Sequence, residues 1–502
     1  MRRWLSCRTA APLGSSLSGR HPAYAAVTSA TSTILRLPIV AVALASCAVG
    51  PKFVPPAPPE TQTYLPPTVP VPMQAIPGEV PQRWWTAYHS PALNTLVELA
   101  LASNSDLRVA EATLRQSREQ SLAASAALLP TIDASFQTER SKSSQYLSPV
   151  LNQQQFNFTL QTAQLSINYP LDLFGGNRRR IESARAAGEA QFFRTAAARL
   201  TLTTNTVLAA LQEASLRAQL AAAKRSAAFN ASSLTLFQRR QQLGAVGLAD
   251  VATQAAALGQ SEAAIPPLER ALAHSQAALS ILIGREPSLP LPATVDLGQL
   301  MLPGQMPLRL PSELVRQRPD IRAAAATLHG ASADVGVAIA ARLPAIVLSA
   351  AAGGASPNFA DLFRNGNPFW QIIGGITQPL FHGGQLRHQQ RAAEAALAGA
   401  KAQYRSVVLG AFADVADALT ALRTDAAAVA ATTRADTAAQ QSLRFTLRQA
   451  ELGSVDRVTT LLANGTAAQT SLQLVQARAA QLGDYAALVQ ALGGPPAEGG
   501  RP

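Results

Sequence analysis

Apolar residues recur at intervals of three and four through two long tracts of the chain, as in Leu200, Leu202, Val207, Leu208, Leu211 and Leu216. That spacing is the mark of one helix face. No proline lies between Pro170 and Pro266, or between Pro379 and Pro495, although the chain holds 34 of them. Proline inside a helix removes a hydrogen bond and clashes with the preceding turn, so its exclusion predicts continuous helix. Asn177 to Leu243 would be one helix of 67 residues, roughly 100 Å at 1.5 Å per residue. A helix of that length needs helical neighbours along it, hence a coiled-coil arrangement.

Other segments alternate apolar and polar residues with period two, which predicts strands. Ile132 to Gln137 pairs with a segment holding Phe156 to Gln161 and Leu165 to Tyr169. Ile346 to Ala350 pairs with Phe369 to Ile376. Alternation over about ten residues fits a transmembrane barrel strand, and by itself fits a soluble hairpin as well. On the barrel reading, Phe156, Phe158 and Leu160 are expected to face lipid.

An internal repeat decides between them. Asp106-Leu107-Arg108 leads to Leu129-Pro130, and Asp320-Ile321-Arg322 leads to Leu343-Pro344 at the same spacing, with 11 of 25 positions identical. Each copy continues through two strands, a proline, a glycine pair (Gly175-Gly176, Gly383-Gly384), a long helix and a glycine turn. The duplicated unit is therefore helix, strand, strand, long helix, helix. Four strands per chain cannot close a barrel, and lipid tolerates no open edge. Three chains would supply twelve strands. The fold class expected is an α+β membrane protein, a trimeric β-barrel continuous with a long α-helical barrel.

The expected boundaries follow. Residues 1–46 are a signal peptide and 47–90 a proline-rich extended strap. Residues 91–284 form the first repeat, with strands at about 131–170. Residues 285–310 are a proline-rich equatorial linker. Residues 311–493 form the second repeat, with strands at about 345–381, and 494–502 are a tail. The leader's apolar run, Leu37 to Leu44, is too short to span a bilayer, which needs about 20 residues. It ends in Leu44-Ala45-Ser46-Cys47, similar to a bacterial lipobox with Cys47 as the lipidated first residue. Ala48, rather than aspartate, follows it, which resembles outer-membrane sorting.

Composition narrows the function. Aromatics are 5% and charged residues 14% of the chain, so the helices pack closely through alanine rather than around a thick core. The net charge is +12, yet no Lys/Arg block alternates with aromatics, and nucleic acid is not an expected partner. The six histidines are scattered, and no metal spacing, P-loop or nucleophile elbow occurs. No catalytic residue, metal or cofactor is expected.

The ordering resembles the TolC-like outer-membrane factors, in particular the NodT-type efflux lipoproteins. Cys47-Ala48-Val49-Gly50-Pro51, Trp84-Trp85, Asn104-Ser105-Asp106-Leu107 and the run Pro311 to Ile321 carry the resemblance. Ala325 stands where the family has a glutamate, and His382 where it has an acid at the second barrel exit. The resemblance implies a homotrimeric duct in outer-membrane lipid. A periplasmic adaptor would couple it to an inner-membrane pump of the RND type, for small molecules. A type I protein-secretion duct and a non-conducting coiled-coil envelope lipoprotein are the alternatives.

Three groups of residues are candidates for function. Leu243-Gly244-Ala245 and Leu452-Gly453-Ser454 fall where the long helices must reverse, and the resemblance implies adaptor docking there; a purely structural turn is the alternative. Asp250, Asp456 and Arg457 lie close to those turns and are candidates for a periplasmic gate, or else for ordinary solvated charge at a helix start. Arg178, Arg179 and Arg180 oppose the helix dipole, which suggests lipid headgroups as partners, or else a solvated helix start.

Overall fold

The computed structural model describes residues 48–57, 63–66, 74–76, 79–142, 157–303, 305–307, 311–455 and 457–496. The leader, Cys47, Phe156 and Asp456 lie outside the described residues. The first copy of the repeat comprises α1 (Pro91–Ser103), α2 (Ser105–Ser125), β2 (Thr131–Lys142), β3 (Asn157–Leu171), α3 (Gly176–Gln242), α4 (Leu248–Ala263) and α5 (Ile265–Leu282). The second comprises α6 (Pro311–Gln317), α7 (Pro319–Ala340), β5 (Ala345–Ser356), β6 (Pro368–Thr377), α8 (Gln385–Glu451) and α9 (Arg457–Ala491). Both α3 and α8 are 67 residues long, and the expected helix from Asn177 is displaced by a single residue. Pro266-Pro267 separates α4 from α5, whereas the proline-free α9 runs 35 residues unbroken.

The equator joins the two copies. Short strands β1 (Gln74–Ile76) and β4 (Gln305–Pro307) pair in parallel there. The buried core lies at the same level, drawing Trp84 and Tyr88 from the segment before α1, Leu211 from α3, Leu279 from α5, Ile321 from α7 and Leu488 from α9. The buried Tyr88 hydroxyl donates to the Leu482 carbonyl at 2.7 Å, so a polar group inside the core is satisfied. Helix α7 is apolar and long enough to cross a membrane by composition alone. It packs along α3 and α8 instead.

The long strands form one antiparallel sheet in the order β2-β3-β5-β6. Its register assigns the faces. Ile132 pairs with Ile167, Leu165 with Ala352, Leu348 with Gly374, and Ala350 with Ile372. One face therefore carries Ile132, Phe136, Leu165, Ile167, Tyr169, Ile346, Leu348, Trp370, Ile372 and Ile376. The other carries Asp133, Ser135, Gln137, Gln164, Ser166, Asn168, Ser349 and Gln371. An apolar face opposite a polar one is the pattern of a wall between lipid and water.

The expectation that Phe158 and Leu160 face lipid is overturned. Strand β3 is continuous and pairs with β2 without a bulge from Asn157 to Asn168. Its apolar residues sit at even positions near Phe158 and at odd positions from Leu165 onward. A strand keeps its faces unless a bulge intervenes, so Phe158 and Leu160 share the polar face with Ser166 and Asn168. Phe158 lies opposite Ser141, at the loop end of the hairpin.

The face assignment is tested by adjacent substitutions in β6. Ile372→Arg should cost about 2–4 kcal/mol if it meets the bilayer midplane and lower outer-membrane abundance. Gln371→Arg, on the opposite face, should assemble as the unsubstituted protein does. Equal abundance of the two variants would refute the assignment.

Candidate functional site

The ends of the long helices are built from glycine. Gly244 (φ +70°) and Gly453 (φ +74°) are left-handed, the conformation that costs an L side chain about 1–2 kcal/mol. The Gly244 amide bonds the Gln241 carbonyl at 2.9 Å and the Ala245 amide the Arg240 carbonyl at 2.8 Å. Gly453 and Ser454 repeat both bonds with Ala450 and Gln449. These are Schellman caps. The same cap recurs at Gly284 and Gly493, at the other ends of the return helices. Surroundings separate the pairs. A Cβ on Gly284 would lie 2.4 Å from the Ser103 carbonyl oxygen, and one on Gly493 would lie 2.9 Å from Arg318 Cα, whereas nothing lies within 4 Å of Gly244 or Gly453.

The turns at Gly244 and Gly453 are thus free ends, and they are apolar. Leu243, Leu248, Leu452 and Leu462 are 77%, 74%, 71% and 68% exposed. Leucines concentrated at a tip, far from the core, form a patch that calls for a partner. Asp250 accepts the Gly247 amide at 3.0 Å and so caps α4. Arg457 begins α9.

Two of the three arginines at the start of α3, Arg178 and Arg179, hold protein. Asp172 accepts the Asn177 and Arg178 amides, both at 2.9 Å, and pairs with the Arg178 guanidinium at 3.3 Å. This carboxylate caps the helix and offsets the unfavourable dipole. Arg179 is buried. It donates to the Val49 carbonyl at 3.0 Å and pairs with Glu182 at 2.7 Å. Of the three, Arg180 is the exposed one. The headgroup reading is therefore replaced for Arg178 and Arg179. At the second exit, where His382 lies two residues before it, the Gly384 N-cap of α8 receives no side-chain cap.

Arg179 belongs to a clasp on the N-terminal strap. His329 on α7 contacts Glu182 at 2.8 Å, and Phe53 of the strap stacks on the His329 ring with centroids 4.4 Å apart. Burial pushes the Glu182 carboxyl up, but hydrogen bonds from His329 and Arg179 outweigh it and hold it below its ordinary range. The strap then crosses α7 at Gly336, where a Cβ on Gly50 would lie 2.5 Å from the Gly336 Cα. The chain just after Cys47 is in this way fixed beside the barrel exit.

A two-fold match spans this whole architecture. Residues 96–285 and 310–494 fit the profile of the outer membrane efflux proteins. The chain belongs to that family. It is 34% identical over 354 residues to the pyoverdine export outer membrane protein OpmQ of Pseudomonas putida, covering 69% of this chain and 73% of the relative. It is 28% identical over 481 residues to the probable efflux pump outer membrane protein TtgC of the same species, covering 92% and 96%. The outer-membrane channel OprN superposes with a TM-score of 0.80 at 26% identity, covering 89% of this chain and 99% of that one. The open state of the Neisseria gonorrhoeae MtrE outer membrane channel gives 0.78 at 26%, covering 89% and 98%.

In this outer membrane efflux protein the mid-chain Arg-Pro-Asp run has a structural task that its spelling did not reveal. Arg318 is buried between α7, α8 and the end of α9. It pairs with Asp320 at 2.9 Å and with Asp414 at 2.5 Å, and donates to the Ala411 carbonyl at 3.2 Å and the Ala491 carbonyl at 2.7 Å. A planar guanidinium with five donors meets acceptors on three helices at once. Removing it would leave the Ala411 and Ala491 carbonyls without their donor, so Arg318→Ala should destabilise by about 1–3 kcal/mol. Arg318→Lys should recover little, because an ammonium lacks the fork. Thermal unfolding of the purified protein measures both, and a Lys variant as stable as the parent would remove this role.

Proposed function

We propose that this chain is the passive outer-membrane duct of a tripartite efflux system, acting as a homotrimer on small molecules. The single observation that carries the reading is the four-stranded sheet. It has one apolar face and, among the described residues, an unpaired edge on β2 and another on β6. Backbone groups left open in hydrocarbon cost several kcal/mol each. Pairing β6 of one copy with β2 of the next removes both edges, and three copies close a barrel of twelve strands. The names of the relatives, an efflux pump component and a pyoverdine exporter, support export as the task. The duct itself catalyses no reaction. The energy comes from an inner-membrane pump, of the RND type by resemblance.

The apolar tips at Leu243-Gly244-Ala245 and Leu452-Gly453-Ser454 are assigned to the periplasmic adaptor. Exposed leucines at two adjacent reversals offer knobs for helical hairpins of a partner. Asp250, Asp456 and Arg457 are assigned to closure of the mouth, on the ground that threefold symmetry repeats each charge around the axis. Exposed pairs contribute only about 0–1 kcal/mol each, a latch weak enough for an adaptor to open. Cys47 is assigned as the lipidated mature N-terminus, and the clasp on Val49 and Gly50 supports an anchored strap.

Planar-bilayer recording tests the conduit. Purified protein should conduct, and Asp456→Ala should conduct more; an electrically silent trimer would end the duct reading. In cells, Leu243→Asp combined with Leu452→Asp should reduce efflux several-fold while outer-membrane levels hold. If abundance falls in step with efflux, the tips are structural and the docking assignment goes.

A further inference from the structure

The apolar face of the sheet changes character along its height. Register places Phe136, Ala163, Gly354 and Pro368 in one row across the four strands. From that row toward the exits the face carries Leu165, Ile167, Leu348, Trp370 and Ile372. Strand β6 covers this stretch in 10 residues, roughly 26 Å at about 3.4 Å per residue and a tilt of about 40°. An outer-membrane barrel carries an apolar band about 25 Å tall, so the row marks the outer rim of the band. Beyond it, β2 and β3 continue on the same face with Thr138 opposite Gln161, Arg140 opposite Thr159 and Lys142 opposite Asn157. All six side chains are polar. The change of phase in β3, which turns Phe158 and Leu160 to the other face, is therefore where the outer surface leaves hydrocarbon.

The loop between β5 and β6 lies down on that row. Gly354 shares the apolar face with Leu348, Ala350 and Ala352. A Cβ on Gly354 would overlap the Leu362 carbonyl oxygen and press on the Phe363 ring at 3.2 Å, so only glycine lets the loop approach so closely. Leu362 is buried, and Phe359 meets Phe136 edge-on with ring centroids 5.7 Å apart. The loop is tied in this shape. The Asn367 side chain donates to the Asp361 carbonyl at 2.5 Å, the Ala355 amide donates to the Asn367 carbonyl at 3.1 Å, and Arg364 pairs with Asp361 at 2.9 Å. Held there, Phe359 and Phe363 are each 69% exposed. Two fixed, exposed phenylalanines on this side continue the apolar band at its rim.

We propose that this rim is a binding site for the acylated, phosphorylated lipid of the outer leaflet. Its acyl chains pack on Phe136, Phe359 and Phe363, and its phosphates meet Arg140 and Lys142. Both cations are exposed and pair with no carboxylate among the described residues. The two acids of β2, Asp133 and Glu139, lie on the opposite face. A guanidinium and an ammonium suit phosphate oxygens. Their stems can run back along apolar surface while the charged heads stay in the polar layer. Aromatic rings at the edge of the band and basic groups just beyond it follow the layering of an acylated phosphate headgroup.

The occupant is lipid and not a second copy of the chain. Ring closure uses the backbone edges of β2 and β6 and leaves the faces of the sheet uncovered. The site continues the wall already assigned to lipid, and it rests on that assignment. Charge then selects among lipids. The apolar face of the four strands carries no acid among the described residues, so a neutral headgroup would leave both cations unmatched.

Native mass spectrometry of the full protein released from phosphatidylcholine nanodiscs that contain bisphosphorylated, hexa-acylated lipid A tests the site. The parent should retain lipid A. Arg140→Gln combined with Lys142→Gln should lower retention about tenfold or more. Arg225→Gln combined with Arg239→Gln, which removes two exposed charges from α3, should leave it unchanged. Lipid A stripped of its phosphates should be retained no better by the parent than by the rim variant. Equal retention by parent and rim variant, equal loss in both double variants, or full retention of the stripped lipid overturns the site. Spin labels at Phe363→Cys and Ile372→Cys, in a background without Cys7 and Cys47, test the placement even if the rim variant assembles poorly. Both labels should be open to oxygen and shielded from a water-soluble nickel complex. Nickel access at 363 alone overturns the rim site and leaves the lipid-facing wall standing, whereas access at both overturns the two together. None of these outcomes bears on conduction, so the duct reading is tested separately.

Discussion

A β-sheet in hydrocarbon must pair every backbone amide and carbonyl, and much of this molecule follows from that demand. Among the described residues one chain provides four long strands in a sheet with two open edges, so the sheet is complete only as part of a closed ring of copies. The ring then sets the plan below it. Each chain hands the membrane wall on to long helices through the exits at Gly175-Gly176 and Gly383-Gly384. The helices stand side by side as a wall because the strands above them do. The duplication makes this economical, since one unit solves the exit, the long descent and the return, and the second copy reuses it.

A thin wall of alanine-rich helices has little core of its own. Burial concentrates at the equator, where the segment before α1, both long helices and both return helices converge. Arg318 and Tyr88 fasten this level by reaching main-chain carbonyls of other helices. Toward the tips, burial thins, and polar rungs such as Asp436 with Ser471 take its place. The equator is therefore the fixed ring and the tips the compliant end.

The same chemistry serves different ends at different heights. Four Schellman caps end the helices, but those at Gly284 and Gly493 are pressed against other backbone, while those at Gly244 and Gly453 are open. Asp172 caps α3 at the first exit, and no acid does so at the second, where His382 stands. The first exit also carries the strap, held by Arg179 and by Phe53 on His329. The two copies have thus diverged where one of them holds the N-terminal segment.

Residues close together in the chain settle what local backbone physics controls. Proline exclusion marked the two tracts that hold α3 and α8, because proline's clash acts on the preceding turn, and the helix read from Asn177 to Leu243 lies within a residue of α3. Glycine placed the reversals, because few residues tolerate positive φ. The repeat set the order of elements and the strand number. Contacts between distant segments were decided only by the tertiary structure. Which face of β3 meets lipid depended on its register with β2, since its own apolar positions change phase between Phe158 and Leu165. The roles of Arg178 and Arg179 depended on Asp172 and on a strap some 130 residues earlier. Arg318 finds acceptors 93 and 173 residues away. Asp436 reads as an ordinary solvated acid until the hairpin folds, because the Thr470 and Ser471 hydroxyls that serve it lie 34 and 35 residues away along the chain.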